Sequence, residues 1–224
     1  MKEGNIYRFE KPSVTIDVVV FTIQDNDLKV LLVKRGIEPF RGKWAIPGGF
    51  VRIEESLEAA AKRELQEETG IKNVYLEQLY TFGDPKRDPR GRVITVSYMA
   101  LINSEKIKLR AATDVSDAQW FSTKKLPVLA FDHTKILAYA IKRLRWKFEY
   151  TTVAFSLLPE KFTIGELQKI YEIVFHKKFD KRNFAKKILS LKILKEEGIK
   201  KDVSHRPPML YSLRADMGKI INII

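Results

Sequence analysis

Residues 49–71 read Gly-Phe-Val-Arg-Ile-Glu-Glu-Ser-Leu-Glu-Ala-Ala-Ala-Lys-Arg-Glu-Leu-Gln-Glu-Glu-Thr-Gly-Ile. The run predicts a helix over about 56–69 that stops at Gly70, a glycine suited to the left-handed residue after a helix end. Glu64, Glu67 and Glu68 stand at i, i+3 and i+4 and so share one helical face. Glu67 and Glu68 also fall in the last turn. There the helix dipole is already negative, and each carboxylate costs roughly 0.3–1 kcal/mol. A solvated charged face is the plain explanation. It fits poorly, because Leu57, Ala60 and Ala61 project to the same side one or two turns earlier. Clustered carboxylates on an inward-leaning face call for a cation, and hard oxygen ligands suit Mg²⁺ or Mn²⁺.

Outward from this helix, short strands dominate. Residues 13–22 and 28–34 are β-branched runs around Gln24-Asp25-Asn26-Asp27, a hairpin signal. Residues 44–46 make a short strand into Pro47-Gly48-Gly49, where the backbone has room for a phosphate to come close. Strands are expected at 74–82 and 93–102, a last one at 119–121, and a helix at 132–146. Between two of the strands lies Gly83-Asp84-Pro85-Lys86-Arg87-Asp88-Pro89-Arg90-Gly91-Arg92, with four cations and two prolines in ten residues. Such a loop can clamp phosphates or hydrogen-bond a ribose, although a surface turn would use the same glycines and prolines.

The second half differs in charge. The chain of 224 residues carries 41 Lys/Arg against 28 Asp/Glu, a net charge of +13. Residues 141–224 hold 19 of the cations and 9 of the acids, whereas residues 1–140 hold 22 and 19. An asymmetry of this kind points to an acidic partner for the C-terminal part, nucleic acid before an anionic membrane surface. The expected division is 1–147 and 148–224. Residues 150–158 read as apolar and helical. Thr163 with Glu166 makes a capping box for a helix over 164–175. Asp180 caps another over 181–191, with Phe184, Ile188 and Leu191 inward. Two short helices, Ile193-Leu194, a loop bearing Arg206 and a strand at 209–213 outline a winged helix-turn-helix. In that geometry Lys181, Arg182 and Asn183 reach base edges or phosphates, Lys186 and Lys187 contact the DNA backbone, and Arg206 approaches the minor groove. A solvated lysine-rich helix that serves dimerisation remains the alternative.

Residues 49–71 also match the Nudix box, G-x5-E-x7-R-E-U-x-E-E-x-G-U with U a bulky aliphatic, at Gly49, Glu55, Arg63, Glu64, Leu65, Glu67, Glu68, Gly70 and Ile71. Seven of these positions admit one residue type each, a coincidence expected on the order of once in 10⁸ windows. The chain therefore resembles the Nudix hydrolases, which implies an α/β fold, an α/β/α sandwich around a mixed sheet, and cleavage of nucleoside diphosphates linked to another moiety. The resemblance implies that Glu64 and Glu68 are the main metal ligands. Glu67 would be a further ligand or water-positioning base, and a carbonyl of Gly48 or Gly49 would complete the shell. It implies that Glu55 and Arg63 orient the helix. An extra base often comes from outside the box, and Asp114 and Asp117 are the nearest candidates by position, although a turn and an N-cap just before Gln119-Trp120-Phe121 are the ordinary explanation of both. The 83–92 loop looks like that of the ADP-ribose-recognising subgroup. This makes Arg87, Asp88, Arg90 and Arg92, with Gly49 and Phe50, candidate ligand contacts, Arg90 and Arg92 foremost.

With its basic C-terminal half, the chain resembles the Nudix-related transcriptional regulators, in which a Nudix domain senses ADP-ribose or a relative and a winged helix binds operator DNA as a homodimer. Many of these have a damaged box; this one is intact. Three readings stay open: an Mg²⁺-dependent ADP-ribose pyrophosphatase joined to an operator-binding domain, a plain enzyme with a basic tail for dimerisation or nonspecific nucleic-acid contact, and a sensor that binds without turnover. Metals would neutralise the pyrophosphate and lower the pKa of the attacking water. No nucleophilic triad is then needed, and none is expected from three histidines (His133, His176, His205) and no cysteine. Disulfides and thiolate metal sites are excluded. No segment approaches the ~18–20 apolar residues of a membrane span, and Met-Lys-Glu-Gly-Asn-Ile-Tyr is no secretion signal. A cytoplasmic protein without membrane partners is expected.

Overall fold

The β-branched run beginning at Ser13 organises the fold. The computed structural model describes residues 10–72, 74–103, 115–200, 207–214, 219–221 and 223. In it Ser13–Gln24 forms strand β1, whose middle is buried on both faces. Asp25 and Asn26, with φ of 55° and 58°, make the two-residue turn that suits the right-handed twist of paired strands, and β2 (Asp27–Arg35) returns. The two strands pair only over residues 21–24 and 27–30. Where they part, the short strands β3 (Trp44–Ala45) and β4 (Gly48–Phe50) fill in, β3 beside β2 and β4 beside β1. Gly48 and Gly49, read from sequence as an open phosphate approach, are thus strand residues paired with Asp17 and Ile16.

Helix α1 (Leu57–Thr69) comes next, then β5 (Tyr75–Phe82), β6 (Val93–Leu101) and β7 (Val115–Ser122). β6 runs parallel to β1, β5 lies antiparallel at the edge, and β7 pairs with β2, giving a seven-stranded mixed sheet. Because side chains alternate along a strand, β1 serves two layers. Val18 and Val20 face Ala60, Ala61 and Leu65 of α1. Val19 and Phe21 face Ile136, Leu137, Ala140 and Leu144 of α2 (His133–Tyr150). This is the expected α/β/α sandwich.

Two expectations needed correction here. α2 does not stop at Trp146 but continues to Tyr150. Lys147, just beyond the expected end, is buried, with its ammonium paired to Glu77 of β5, and Phe148 beside it is fully buried. The segment expected as α-helical at 150–158 is instead a 3-10 helix, Thr152–Leu157, entered through the extended Thr151 (φ −139°, ψ 165°). Three β-branched residues in a row, Thr151-Thr152-Val153, resist the α conformation.

The C-terminal part follows the reading closely. α3 (Ile164–Phe175) starts at the Thr163–Glu166 capping box, with both reciprocal hydrogen bonds formed. α4 (Lys181–Ser190) is capped by Asp180, whose carboxylate accepts from the Asn183 N–H at 2.8 Å. β8 (Leu194–Ile199) and β9 (Met209–Leu213) pair as the wing. One continuous apolar cluster runs from Val19 and Phe21 through Phe148, Val153 and Phe155 to Tyr171, Phe184 and Ile188. Among the described residues, no helix is long and apolar enough to cross a membrane.

Candidate functional site

α1 carries the box side chains to the place where β1 and β2 diverge. Ser56 caps its start by accepting from the Ala59 N–H, and Gly70, at φ 77°, closes its end on the Gln66 carbonyl. Arg63 is the hub. Its guanidinium donates to both oxygens of Glu55, at 2.9 and 2.6 Å, to Glu64 at 2.6 Å and Glu67 at 3.1 Å, and to the Phe50 carbonyl at 3.2 Å. The hydrogen bonds from Arg63 hold the Glu55 carboxyl at about 2, well below its ordinary value. Glu67 is half exposed, whereas the Glu64 side chain retains 14% of its surface.

Glu68 lies deeper. Its carboxylate accepts the Gly48 N–H at 2.9 Å. Burial foremost, with added like charge from Glu64 and Asp17, pushes its pKa up to about 8, against the pull of Gly48 and Arg35. Asp17, on β1, is buried as well. It accepts from the Thr95 hydroxyl at 2.7 Å and from Arg87 at 3.4 Å. His133 sits 3.5 Å away through Nε2. Burial lowers the His133 pKa and Nδ1 accepts the Ile46 N–H at 2.9 Å, so the ring is neutral with its proton on Nε2, toward Asp17.

Above this acidic floor opens a cavity of about 430 Å³. Its mouth is built from guanidinium groups and rings. Arg90 is held two-pronged by the buried Asp88, at 3.0 and 2.7 Å, and stacks over Phe50 and Phe131 at 4.8 and 5.5 Å. Arg35 covers Phe131 at 4.9 Å and donates to the Pro39 carbonyl. Burial and then the neighbouring Arg90 lower the Arg35 pKa. Two guanidinium groups that disfavour each other's charge at a cavity mouth are a place for an anion.

α4 shows a second kind of surface. Phe184 and Ile188 are buried, while Lys181, Arg182, Asn183, Lys186 and Lys187 are exposed. Among the described residues, none of the four cations is engaged by a carboxylate.

The NUDIX domain profile matches residues 14–144, more than half of the chain. The chain belongs to the Nudix family. The profile of the NrtR DNA-binding winged helix domain matches residues 154–213. The chain is 37% identical over 207 residues to the ADPR responsive transcriptional repressor NtrR of Acinetobacter baylyi, covering 91% of this chain and 82% of that one. It is 40% identical over 137 residues to the ADP-ribose pyrophosphatase of Methanocaldococcus jannaschii, covering 61% and 75%. Shewanella oneidensis NrtR, crystallised with a 27mer DNA, has a TM-score of 0.80 at 38% identity over 89% of this chain and 93% of its own.

The Nudix carboxylates suit a divalent cation. Gly49 packs so close to Glu64 that an added Cβ would lie 2.4 Å from its Oε1, and one on Gly48 would lie 3.0 Å from Asp17 Oδ1. Side-chain-free backbone thus lines the carboxylates, and Glu64, Glu68 and Asp17 present hard oxygens of the kind a divalent cation takes, each now held by a neighbouring donor. Among the described residues, no three such side chains converge on one point, because Glu64 is turned to Arg63 and Glu68 to the Gly48 N–H.

Of the residues expected at the site, Gly48, Gly49, Phe50, Arg63, Glu64, Glu67, Glu68, Arg87, Asp88 and Arg90 all line the cavity. Arg87 does so with its guanidinium already tied to Asp132, at 2.8 and 3.2 Å. Arg92 is outside the lining and donates to the Gly83 carbonyl at the base of its loop. Asp114 and Arg206 lie outside the described residues. Asp117, considered as an N-cap, stands inside β7. Sequence reasoning missed Asp17, Arg35, Phe131 and His133. Asp17 alone carried a signal, as a charge inside an otherwise apolar strand.

Proposed function

We propose that the chain is an ADP-ribose-responsive transcriptional regulator. Its Nudix part, residues 1–147, binds ADP-ribose and hydrolyses it with Mg²⁺ or Mn²⁺, and residues 148–224 bind operator DNA as part of a cytoplasmic homodimer. The observation that carries this reading is the cavity itself, with a floor of buried carboxylates and a mouth of paired guanidinium groups and rings. A pyrophosphate flanked by sugars needs both at once: a cation for its charge and planar cationic surfaces for the remainder.

In this reading Glu64 and Glu68 hold the metal, with the Gly48 carbonyl and Glu67 as further donors. The metal supplies charge neutralisation and a more acidic water. Arg63 and Glu55 keep the helix face in register, since Arg63 bonds both Glu55 and Glu64. Arg35 and Arg90 hold the ligand's phosphates, with the Phe50 and Phe131 faces against its rings. Glu67, or Asp114 from beyond the described residues, orients the water and takes its proton. Water adds to one phosphorus, the bridging P–O bond breaks, and AMP and ribose 5-phosphate leave. On the DNA side, Lys181, Arg182 and Asn183 read the major groove and Lys186 and Lys187 contact phosphates, and Arg206, outside the described residues, is assigned to the minor groove. A ligand changes DNA affinity only through its different affinity for the DNA-competent and DNA-incompetent arrangements, and hydrolysis resets the signal.

The test is AMP release from ADP-ribose with Mg²⁺, wild type beside Glu68→Gln, followed by binding to DNA fragments enriched by the protein from a random pool, with and without ADP-ribose. Turnover in the wild type alone and a ligand-dependent change in DNA affinity are expected. Binding of ADP-ribose without turnover would reduce the Nudix domain to a sensor, and DNA binding indifferent to the ligand would sink the regulator reading.

A further inference from the structure

Asp132 occupies the residue before α2, where aspartate ordinarily caps the helix by accepting a hydrogen bond from a first-turn amide. Here it makes no such bond. Its two oxygens are spent on Arg87, at 2.8 and 3.2 Å, across 45 residues of sequence. Both partners are nearly shut off from solvent, with side-chain exposures of 3% for Arg87 and 10% for Asp132. A helix that gives up its cap for a buried, two-pronged ion pair is paying in stability for position.

What Arg87 positions is the loop that carries it. The next residue, Asp88, holds Arg90 over Phe50 and Phe131 at the cavity mouth. Phe131 itself directly precedes Asp132, in a left-handed conformation at φ 50°, and His133 directly follows it against Asp17. Three consecutive residues at the start of α2 therefore touch the mouth, the loop and the floor of the cavity.

The other end of α2 belongs to the winged helix. Its 18 residues span about 27 Å. The Phe148 carbonyl accepts the Tyr171 hydroxyl of α3 at 3.0 Å, and the carbonyls of Glu149 and Tyr150 accept from the C-terminal segment at Ile223 and Ile221. A displacement at Asp132 is thus a displacement of one rigid element whose far end is bonded to the DNA-binding domain.

We propose that Asp132 is a positioning residue that couples the two functions: by gripping Arg87 it sets the Asp88–Arg90 clamp for the ligand, and through α2 it passes the state of the cavity to the winged helix. This rests on the function proposed above.

The test is Asp132→Ser in the full chain, since serine restores the helix cap while releasing Arg87. The probe is the α,β-methylene analogue of ADP-ribose with Mg²⁺, which binds without being cleaved. In the wild type the analogue is expected to change amide hydrogen exchange in α3 and α4, far from the cavity. In Asp132→Ser its affinity is expected to fall about tenfold, within the ordinary range of coupling between sites. At saturation the exchange change in α3 and α4 is expected to be lost while that of the box helix remains. Because the variant leaves Arg87 with less compensation, the double variant Arg87→Gln/Asp132→Asn, which leaves no lone charge from the pair, is run beside it with the same expectation. If either folded variant binds the analogue as the wild type does and still transmits the change to α4, the inference is overturned. If the wild type itself binds the analogue with no response in α3 or α4, coupling is absent and the regulator reading falls with it. A wild type that fails to bind at all removes the ADP-ribose reading first.

Discussion

Gly49 gives the sharpest handle on the proposed metal site. A Cβ placed there would lie 2.4 Å from Glu64 Oε1 and 2.6 Å from its Cδ, about 1 Å short of a comfortable non-bonded contact. The obstruction is the end of a side chain, so Gly49→Ala is expected to fold, with Glu64 moving aside. That carboxylate is not free to move without consequence, because Arg63 grips it at 2.6 Å. A displacement of about 1 Å in a ligand-positioning group costs on the order of 10²-fold in rate. Gly48→Ala is the contrasting case: its Cβ would meet the Ile16 carbonyl at 2.1 Å, backbone of a central strand, and overpacking there costs roughly 1–3 kcal/mol or more. The pair is assayed by AMP release from ADP-ribose with Mg²⁺ and by thermal unfolding. Gly49→Ala should keep its melting temperature within a few degrees and lose about two orders of magnitude in turnover, while Gly48→Ala should lose stability. If Gly49→Ala turned over within threefold of the wild type, Glu64 would not be a metal ligand and the assignment of the box would have to be redrawn.

Other expectations follow from the same geometry. Mg²⁺ should raise the melting temperature of the wild type, because a ligand of the folded state stabilises by mass action; Glu68→Gln should lose most of that rise and roughly 10²–10³-fold in turnover, as read by calorimetry and AMP release. In the winged helix, hydrogen bonds from Lys178, the Phe179 N–H and Gln168 hold the Glu172 carboxyl at about 2. A carboxyl depressed on folding adds stability above its unfolded value near 4.5 that is lost as pH falls toward 2, so denaturant midpoints should drop across that window in the wild type and stay flatter in Glu172→Gln. On α4, removing Lys186 or Lys187 should weaken DNA binding evenly across sequences and lower the salt slope by about one; Asn183→Ala should relax sequence preference instead, by about 1–3 kcal/mol at one position. A titration of fluorescent DNA at several salt concentrations separates the two.

The box, the hairpin, the capping box of α3 and the bounds of α3 and β9 were all legible, because each is written in local chemistry: a spacing, a turn pair, a reciprocal cap. What escaped was set by distant packing. Arg35 and Phe131 have no neighbours in sequence that mark them; they meet only because β1 and β2 part and the loop before α2 folds back over the gap. Arg87 and Arg92 looked alike in a loop of four cations, yet burial separates them, tying one to Asp132 and leaving the other on a loop carbonyl. Asp117 had the flanks of a turn but the register of a strand, since β2 offers it a partner in Lys34.

The division of the chain shows the same limit from another side. Charge changes near residue 140, between the cavity proposed to take an anion and the face of α4 proposed to meet one. Packing ignores it. α2 crosses the step, with His133 in the cavity at one end and Phe148 against Tyr171 at the other, and the apolar cluster under it contains residues of β1, β6, α3 and α4 together. Charge patterning reports what each surface meets, whereas hydrophobic periodicity reports what each face covers, and the two have no need to break at the same residue. A stiff element that belongs to both sites is one route by which a ligand at the first moves the second, so a boundary that is clean in charge and absent in packing leaves α2 placed to carry coupling between the two halves.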